Sequence, residues 1–149
     1  MKFIDVLYTK NDGIARVTIN RPEVYNAIRG LTTDEMSEAL VDASNDPDIR
    51  VVVIAGTGSN AFCSGRDQSE DPTTSEYRGS SELSVNELIR TMPQLVIAMV
   101  DGFAIGSGNI LAYMCDFTVA SERSTFGQTG PRVGSPATGW EIGYLANVV

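Results

Sequence analysis

The sequence predicts a layered α/β fold, and three observations lead there. Apolar runs of strand length, at 14–19, 51–55, 95–100 and 117–120, alternate with segments whose apolar residues recur at helical spacing. Two of these runs discharge directly into glycine-rich turns, GTGSNAFCSGRD at 56–67 and GFAIGSGN at 102–109. A chain of 149 residues with 42% apolar and 20% charged residues is long and apolar enough to bury one core. Strands alternating with helices imply parallel pairing through right-handed crossovers.

Each element has its own signal. Residues 3–9 read as extended, Asn11, Asp12 and Gly13 as a turn, and 14–19 (IARVTI) as the second strand of a hairpin. Asn20, Arg21 and Pro22 break that strand. Thr32 and Glu35 have the spacing of a capping box, and Met36, Ala39, Leu40 and Ala43 follow on one helical face until Asn45, Asp46 and Pro47 stop it. Residues 51–55 (VVVIA) form a buried strand. The polar stretch 69–84, with Pro72, Gly79 and many Ser and Thr, is expected to be a mobile loop or lid. Ser84 and Glu87 repeat the capping spacing before Val85, Leu88, Ile89 and Met92, and Pro93 closes that helix. A strand at 95–100, a turn at 101–107, a helix at 108–115 and a strand at 117–120 come next. Residues 127–138 are irregular and 139–148 form a short helix. Trp140, Ile142, Leu145, Val148 and Val149 make an apolar stripe without a polar cap, so the chain is expected to stop short of a complete domain.

Composition narrows the chemistry. With 11 basic and 19 acidic residues the net charge is −8, which disfavours nucleic acid and anionic membranes as partners. The amino end has no sustained apolar segment, no run is long enough to span a bilayer, and Cys63 and Cys115 stand apart; a reduced, cytoplasmic setting is the expectation. Histidine is absent, which eliminates Ser-His-Asp and Cys-His catalysis and every histidine-bearing metal site within the chain.

What remains is the backbone. Two strands that end in tight turns can aim N–H groups at one point, and two convergent N–H groups suit an ester or thioester carbonyl. In Cys63-Ser64-Gly65-Arg66-Asp67 the glycine permits a sharp turn that presents the Arg66 amide; Arg66 does not stand in a Walker frame. In Gly106-Ser107-Gly108 the Ser107 N–H opens a helix, and the GxGxxG dinucleotide spacing is not met. A third permissive stretch, 127–135, carries the hydroxyls of Thr129 and Ser135 beside Gly130.

These pieces in order resemble the crotonase, or enoyl-CoA hydratase/isomerase, superfamily: Ile19-Asn20-Arg21-Pro22 with Asn26-Ala27, Ala61-Phe62-Cys63-Ser64-Gly65 with Asp67, the turn at 102–108, Met114-Cys115-Asp116, and Phe126-Gly127-Gln128. The resemblance covers 3–149, an amino-terminal core domain of ββα repeats with a spiral core, incomplete at the C-terminus. Asp67-Gln68, FGQTGP at 126–131 and Val133-Gly134-Ser135 point to the ring-handling branch, which contains 2-ketocyclohexanecarboxyl-CoA hydrolase and 1,4-dihydroxy-2-naphthoyl-CoA synthase. The resemblance implies an acyl-CoA thioester as substrate, CoA entering only as part of it and no tightly bound cofactor. It places the oxyanion hole at the backbone N–H groups of Arg66 and Ser107, with Ser135 and Thr129 as further catalytic residues. Ala27, Gly65, Asp67, Gln68 and Gly106 would line the CoA side, and Tyr77, Gly130 and Trp140 the acyl side. In the synthases bicarbonate serves as base near Thr129, Gly130 and a tryptophan. Hydration by two glutamates is not expected, because their places hold Ile110 and Gly130; the aspartate two residues after the family serine is Ala137 here. Trimers or hexamers are expected where the family's C-terminal region is present. A non-catalytic CoA-binding or assembly role is the alternative.

Overall fold

The N-terminal residues set the first register. The computed structural model describes residues 2–70, 80–132 and 139–148. Its elements are β1 (Val6–Asn11), β2 (Ile14–Ile19), α1 (Gly30–Asn45), β3 (Val51–Gly56), β4 (Ala61–Cys63), α2 (Ser80–Thr91), β5 (Leu95–Val100), β6 (Phe103–Ile105), α3 (Ser107–Met114), β7 (Phe117–Ala120), β8 (Thr125–Gly127) and α4 (Gly139–Val148), with single 3-10 turns at Pro22–Val24 and Gly130–Arg132. β1 and β2 pair antiparallel from Val6↔Ile19 to Asn11↔Ile14 across Asp12 and Gly13, both at positive φ. The strand begins at Val6 rather than near Phe3. The N–H groups of Ile4 and Asp5 go instead to the two carboxylate oxygens of Glu35, each at 2.8 Å.

Two sheets follow from the alternation of long and short strands. The larger runs β1-β2-β3-β5-β7, parallel from β2 onward, with Val17↔Ile54, Ile54↔Ala98 and Ala98↔Thr118 in register. The smaller runs β4-β6-β8, also parallel. From β3 onward, each turn of the chain therefore contributes a strand to the first sheet, a short strand to the second, and then a helix. This is the ββα repeat of a spiral core. β4 and β6 lie inside segments that read as turns, and β8 falls where no element is read, because three residues cannot display a two-residue period.

The helices correct two N-terminal expectations. Thr32 does not cap α1 with Glu35; it is the third residue of a helix that opens at Gly30. The Thr32 hydroxyl accepts the Arg29 N–H at 3.2 Å and donates to Asp5 Oδ2 at 2.7 Å, while Glu35 serves Ile4 and Asp5. α2 opens at Ser80, so Ser84 lies within the helix and the end of the stretch expected as a loop is helical; residues 71–79 of that stretch lie outside the described residues. Met36, Ala39, Leu40, Ala43, Val85 and Ile89 are buried, and Leu88 and Met92 pack at the edge of the core. With Val17, Ile19, Val52, Ile54, Phe62 and Val96 they fill the space between sheet and helices, each large side chain contributing about 1.5–3 kcal/mol by leaving water. Gly108 lets α3 lie on β4: a Cβ there would stand 2.1 Å from the Cys63 carbonyl oxygen. Among the described residues, no helix is long and apolar enough to cross a membrane.

Candidate active site

The site is built where the ends of β4 and β6 meet. Beyond β4 the backbone turns at Gly65 (φ 108) and runs beside Ile28 in one parallel bridge. The Ile28 N–H donates to Gly65 O and the Asp67 N–H to Ile28 O, both at 2.8 Å. Peptide groups alternate in direction along an extended chain, so the Arg66 N–H points to the side opposite Ile28. Beyond β6 the backbone turns at Gly106 (φ 57), whose N–H donates to Gly127 O at 2.8 Å, and α3 starts at Ser107.

The two turns touch. A Cβ on Gly106 would lie 3.8 Å from the Gly65 Cα, and a Cβ on Gly65 would lie 3.8 Å from the Ser107 nitrogen and 3.0 Å from Ile105 O. Covalent geometry keeps the Arg66 nitrogen within about 3.7 Å of that same Cβ position, so the two amide nitrogens are separated by at most about 7.5 Å. No side chain among the described residues caps α3, and its first turn carries no acidic residue. The positive end of the helix therefore adds to the Ser107 dipole, which favours negative charge at this point.

A narrow apolar crevice reaches Ser107 and is lined also by Ile28, Thr33, Met36, Val85, Asn86 and Leu111. Asn86 was not anticipated. It is a buried amide in the apolar stripe of α2, and its place between Val85 and Ile89 was the available signal. Ile110, four residues into α3, is buried and supplies no carboxylate.

A charged lattice braces the bridge from behind. Arg21 is buried; its Nη1 donates to Ala27 O at 2.6 Å and its Nη2 pairs with Asp67 Oδ2 at 2.9 Å. Asp5 lies 3.6 Å from Arg21 Nε and takes two bonds from Arg29, at 2.7 and 2.8 Å. The Ser69 hydroxyl and N–H, bonded to Asp67 Oδ1 at 2.7 and 3.0 Å, are the main cause that holds the Asp67 carboxyl at about 2, with Arg21 adding to it against the opposing effect of burial. Burial raises the Asp5 carboxyl, but Arg29, Thr32 and Arg21 together bring it below its ordinary value. Asn26, at φ 56, accepts the Arg21 N–H and donates to Thr57 O and Ala61 O, tying the segment before the bridge to the start of β4.

Of the residues singled out from the sequence, Ala27, Gly65, Arg66, Asp67, Gly106 and Ser107 gather around this junction. Gln68 is exposed and donates to Arg66 O at 3.1 Å. Thr129 and Gly130 follow β8, Thr129 exposed and accepting the Arg132 N–H through its carbonyl at 2.9 Å. Trp140 is the second residue of α4, and its side chain lies outside what is described. Tyr77 and Ser135 lie outside the described residues. Cys63 and Cys115 are buried thiols, and burial together with Asp116 pushes Cys115 up to about 12, far from a nucleophile's range. Among the described residues no group of three or more His, Cys, Asp or Glu is arranged to hold a metal ion.

Known proteins share this fold. A family profile for enoyl-CoA hydratase/isomerase matches residues 9–149. An enoyl-CoA hydratase/carnithine racemase from Magnetospirillum magneticum superposes with a TM-score of 0.89 at 27% identity, over 99% of this chain and 57% of its own. A probable enoyl-CoA hydratase/isomerase from Mycobacterium abscessus gives 0.82 at 37% identity, over 95% and 56%. An enoyl-CoA hydratase from Bacillus anthracis gives 0.83 at 26% identity, over 90% and 54%. The chain thus spans a little over half the length of these solved relatives.

Proposed function

The chain belongs to the enoyl-CoA hydratase/isomerase family, and from that premise we propose that its Arg66 and Ser107 amides hold the oxygen of an acyl-CoA thioester and stabilise the enolate formed from it. The observation that supports this reading most is the close approach of Gly65 and Gly106 beside the positive end of α3. Two N–H donors fixed before the reaction cost no reorganisation as charge develops, and losing one typically costs ~3–4 kcal/mol of transition-state stabilisation. An acyl-CoA is anionic at its nucleotide end, so a net charge of −8 leaves its recognition to local groups such as the Arg66 guanidinium.

The reaction we assign is ring-opening hydrolysis of a cyclic β-ketoacyl-CoA. Water adds to the ring ketone; the bond from that carbon to the α-carbon breaks. Its electron pair is delocalised from the α-carbon onto the thioester oxygen, between the two amides. The former ketone becomes a carboxylate and a proton returns to the α-carbon. Simple hydration by paired glutamates is disfavoured by Ile110 and Gly130. Ser135 is assigned to hydrogen-bond the substrate, and the stretch containing Tyr77 to cover the acyl group.

A second reading is intramolecular ring closure on an aromatic succinyl-CoA with bicarbonate as base, favoured by glycine at 130 directly after Thr129. Mass spectrometry separates the two. Incubation with 2-ketocyclohexanecarboxyl-CoA is expected to add one water to the thioester, whereas ring closure of 2-succinylbenzoyl-CoA removes one. Tight CoA binding with neither product would favour a binding or assembly role, and no binding of any acyl-CoA would refute the whole reading.

A further inference from the structure

We propose that the buried Arg21–Asp67 ion pair is a positioning device: it clamps the two strands of the Ile28–Arg66 bridge and so fixes the direction of the Arg66 amide. The inference rests on the reading of that amide given above, in which the pair acts through Arg66 and makes no contact with the thioester.

The bridge is weak by itself. It is a single pairing with two backbone hydrogen bonds, and one of its strands enters from a glycine at φ 108. Glycine gives such a segment more freedom than any other residue. A rotation of the 65–66 peptide would turn the Arg66 N–H away from Ser107. Arg21 opposes this by reaching both strands at once, Ala27 O on one side and Asp67 Oδ2 on the other. Neither partner is left adjustable. Asp67 is held on its second oxygen by Ser69, and Arg21 is held by Asp5, which Arg29 and Thr32 hold in turn.

A buried ion pair contributes little net stability once desolvation is counted. What a fully bonded pair of this kind supplies is a fixed geometry. The planar fork of arginine is needed for it, since a lysine ammonium on a flexible stem cannot address both strands in set directions.

The test uses acetoacetyl-CoA as probe, with its enolate followed by ultraviolet absorbance across pH. Wild type is expected to lower the apparent enolate pKa of the bound probe. Asp67→Asn and Arg21→Lys are each expected to raise it again by about one unit, a tenfold loss of bound enolate. Affinity for free CoA should stay within about threefold in Arg21→Lys, because the interaction lost there is made to the developing charge alone. Leu40→Ala, a core variant remote from the clamp, controls for loosening of the fold. Its melting temperature should fall at least as far while the enolate pKa stays at the wild-type value. Hydrogen exchange at the Arg66 amide, measured without ligand, should quicken in the clamp variants and not in Leu40→Ala. Should wild type itself fail to shift the enolate, the reading of the site fails, and the exchange data alone then decide the clamp. An unchanged exchange rate in the clamp variants overturns it, as does an equal enolate loss in Leu40→Ala.

Discussion

A side chain on Gly65 would be driven toward Gly106 and its neighbours: its Cβ would stand 3.0 Å from Ile105 O and 3.8 Å from Ser107 N. The two turns approach at the distance of touching backbones, and the proposed chemistry follows from that contact.

Gly65→Ala is therefore expected to damage activity more than stability. The φ of 108 strains any L side chain, at a cost of about 1–3 kcal/mol. Relief of that strain would turn the Arg66 amide, and losing one donor reduces kcat by about a hundredfold or more. Thermal denaturation beside kcat on the same preparation checks both halves.

Acid stability should report Asp67. Its carboxyl lies at about 2 when folded against an ordinary 3.8. The unfolded chain thus binds more protons in that window; the contribution is fully present above about pH 4 and is lost as pH falls through 2. The shift corresponds to about 2 kcal/mol. Urea midpoints at pH 6 and pH 3 should differ less in Asp67→Asn than in wild type.

Glu35→Gln should loosen the N-terminus selectively. The carboxylate serves two backbone donors, Ile4 and Asp5, and the amide can accept through only one oxygen. A loss of about 1–3 kcal/mol is expected, with faster hydrogen exchange at those two amides and unchanged exchange within β3.

The thiols should be silent in the folded protein. Cys63 and Cys115 are both buried, and Cys115 is raised to about 12 by burial. A thiol-specific alkylating reagent at pH 8 is expected to label neither until denaturant is added, and rapid labelling of the native protein would contradict the packing around β4 and α3.

Periodicity made the long elements legible: the apolar spacing of Met36, Leu40 and Ala43, or of Val85 and Ile89, reports directly which helix face meets the core. It was silent on β4, β6 and β8, whose three residues are strands only because neighbouring turns of the spiral supply partners. Thr32 and Glu35 had the right spacing for a local cap, and Thr32 does accept the Arg29 N–H, yet its hydroxyl proton and both Glu35 oxygens serve the chain at Ile4 and Asp5, a non-local use that spacing does not encode. At the site, the glycines at 65 and 106 marked where the backbone turns. The reach of Arg21 to Asp67, 46 positions along the chain, was invisible because each stands in its own motif and spacing within a motif does not say which distant side chain it meets.

The most direct test is a crystal structure with acetoacetyl-CoA bound. The account predicts the thioester oxygen within hydrogen-bond distance, about 2.7–3.1 Å, of both the Arg66 and the Ser107 nitrogens. A thioester seated elsewhere, or an oxygen that meets only one of the two amides, would contradict it.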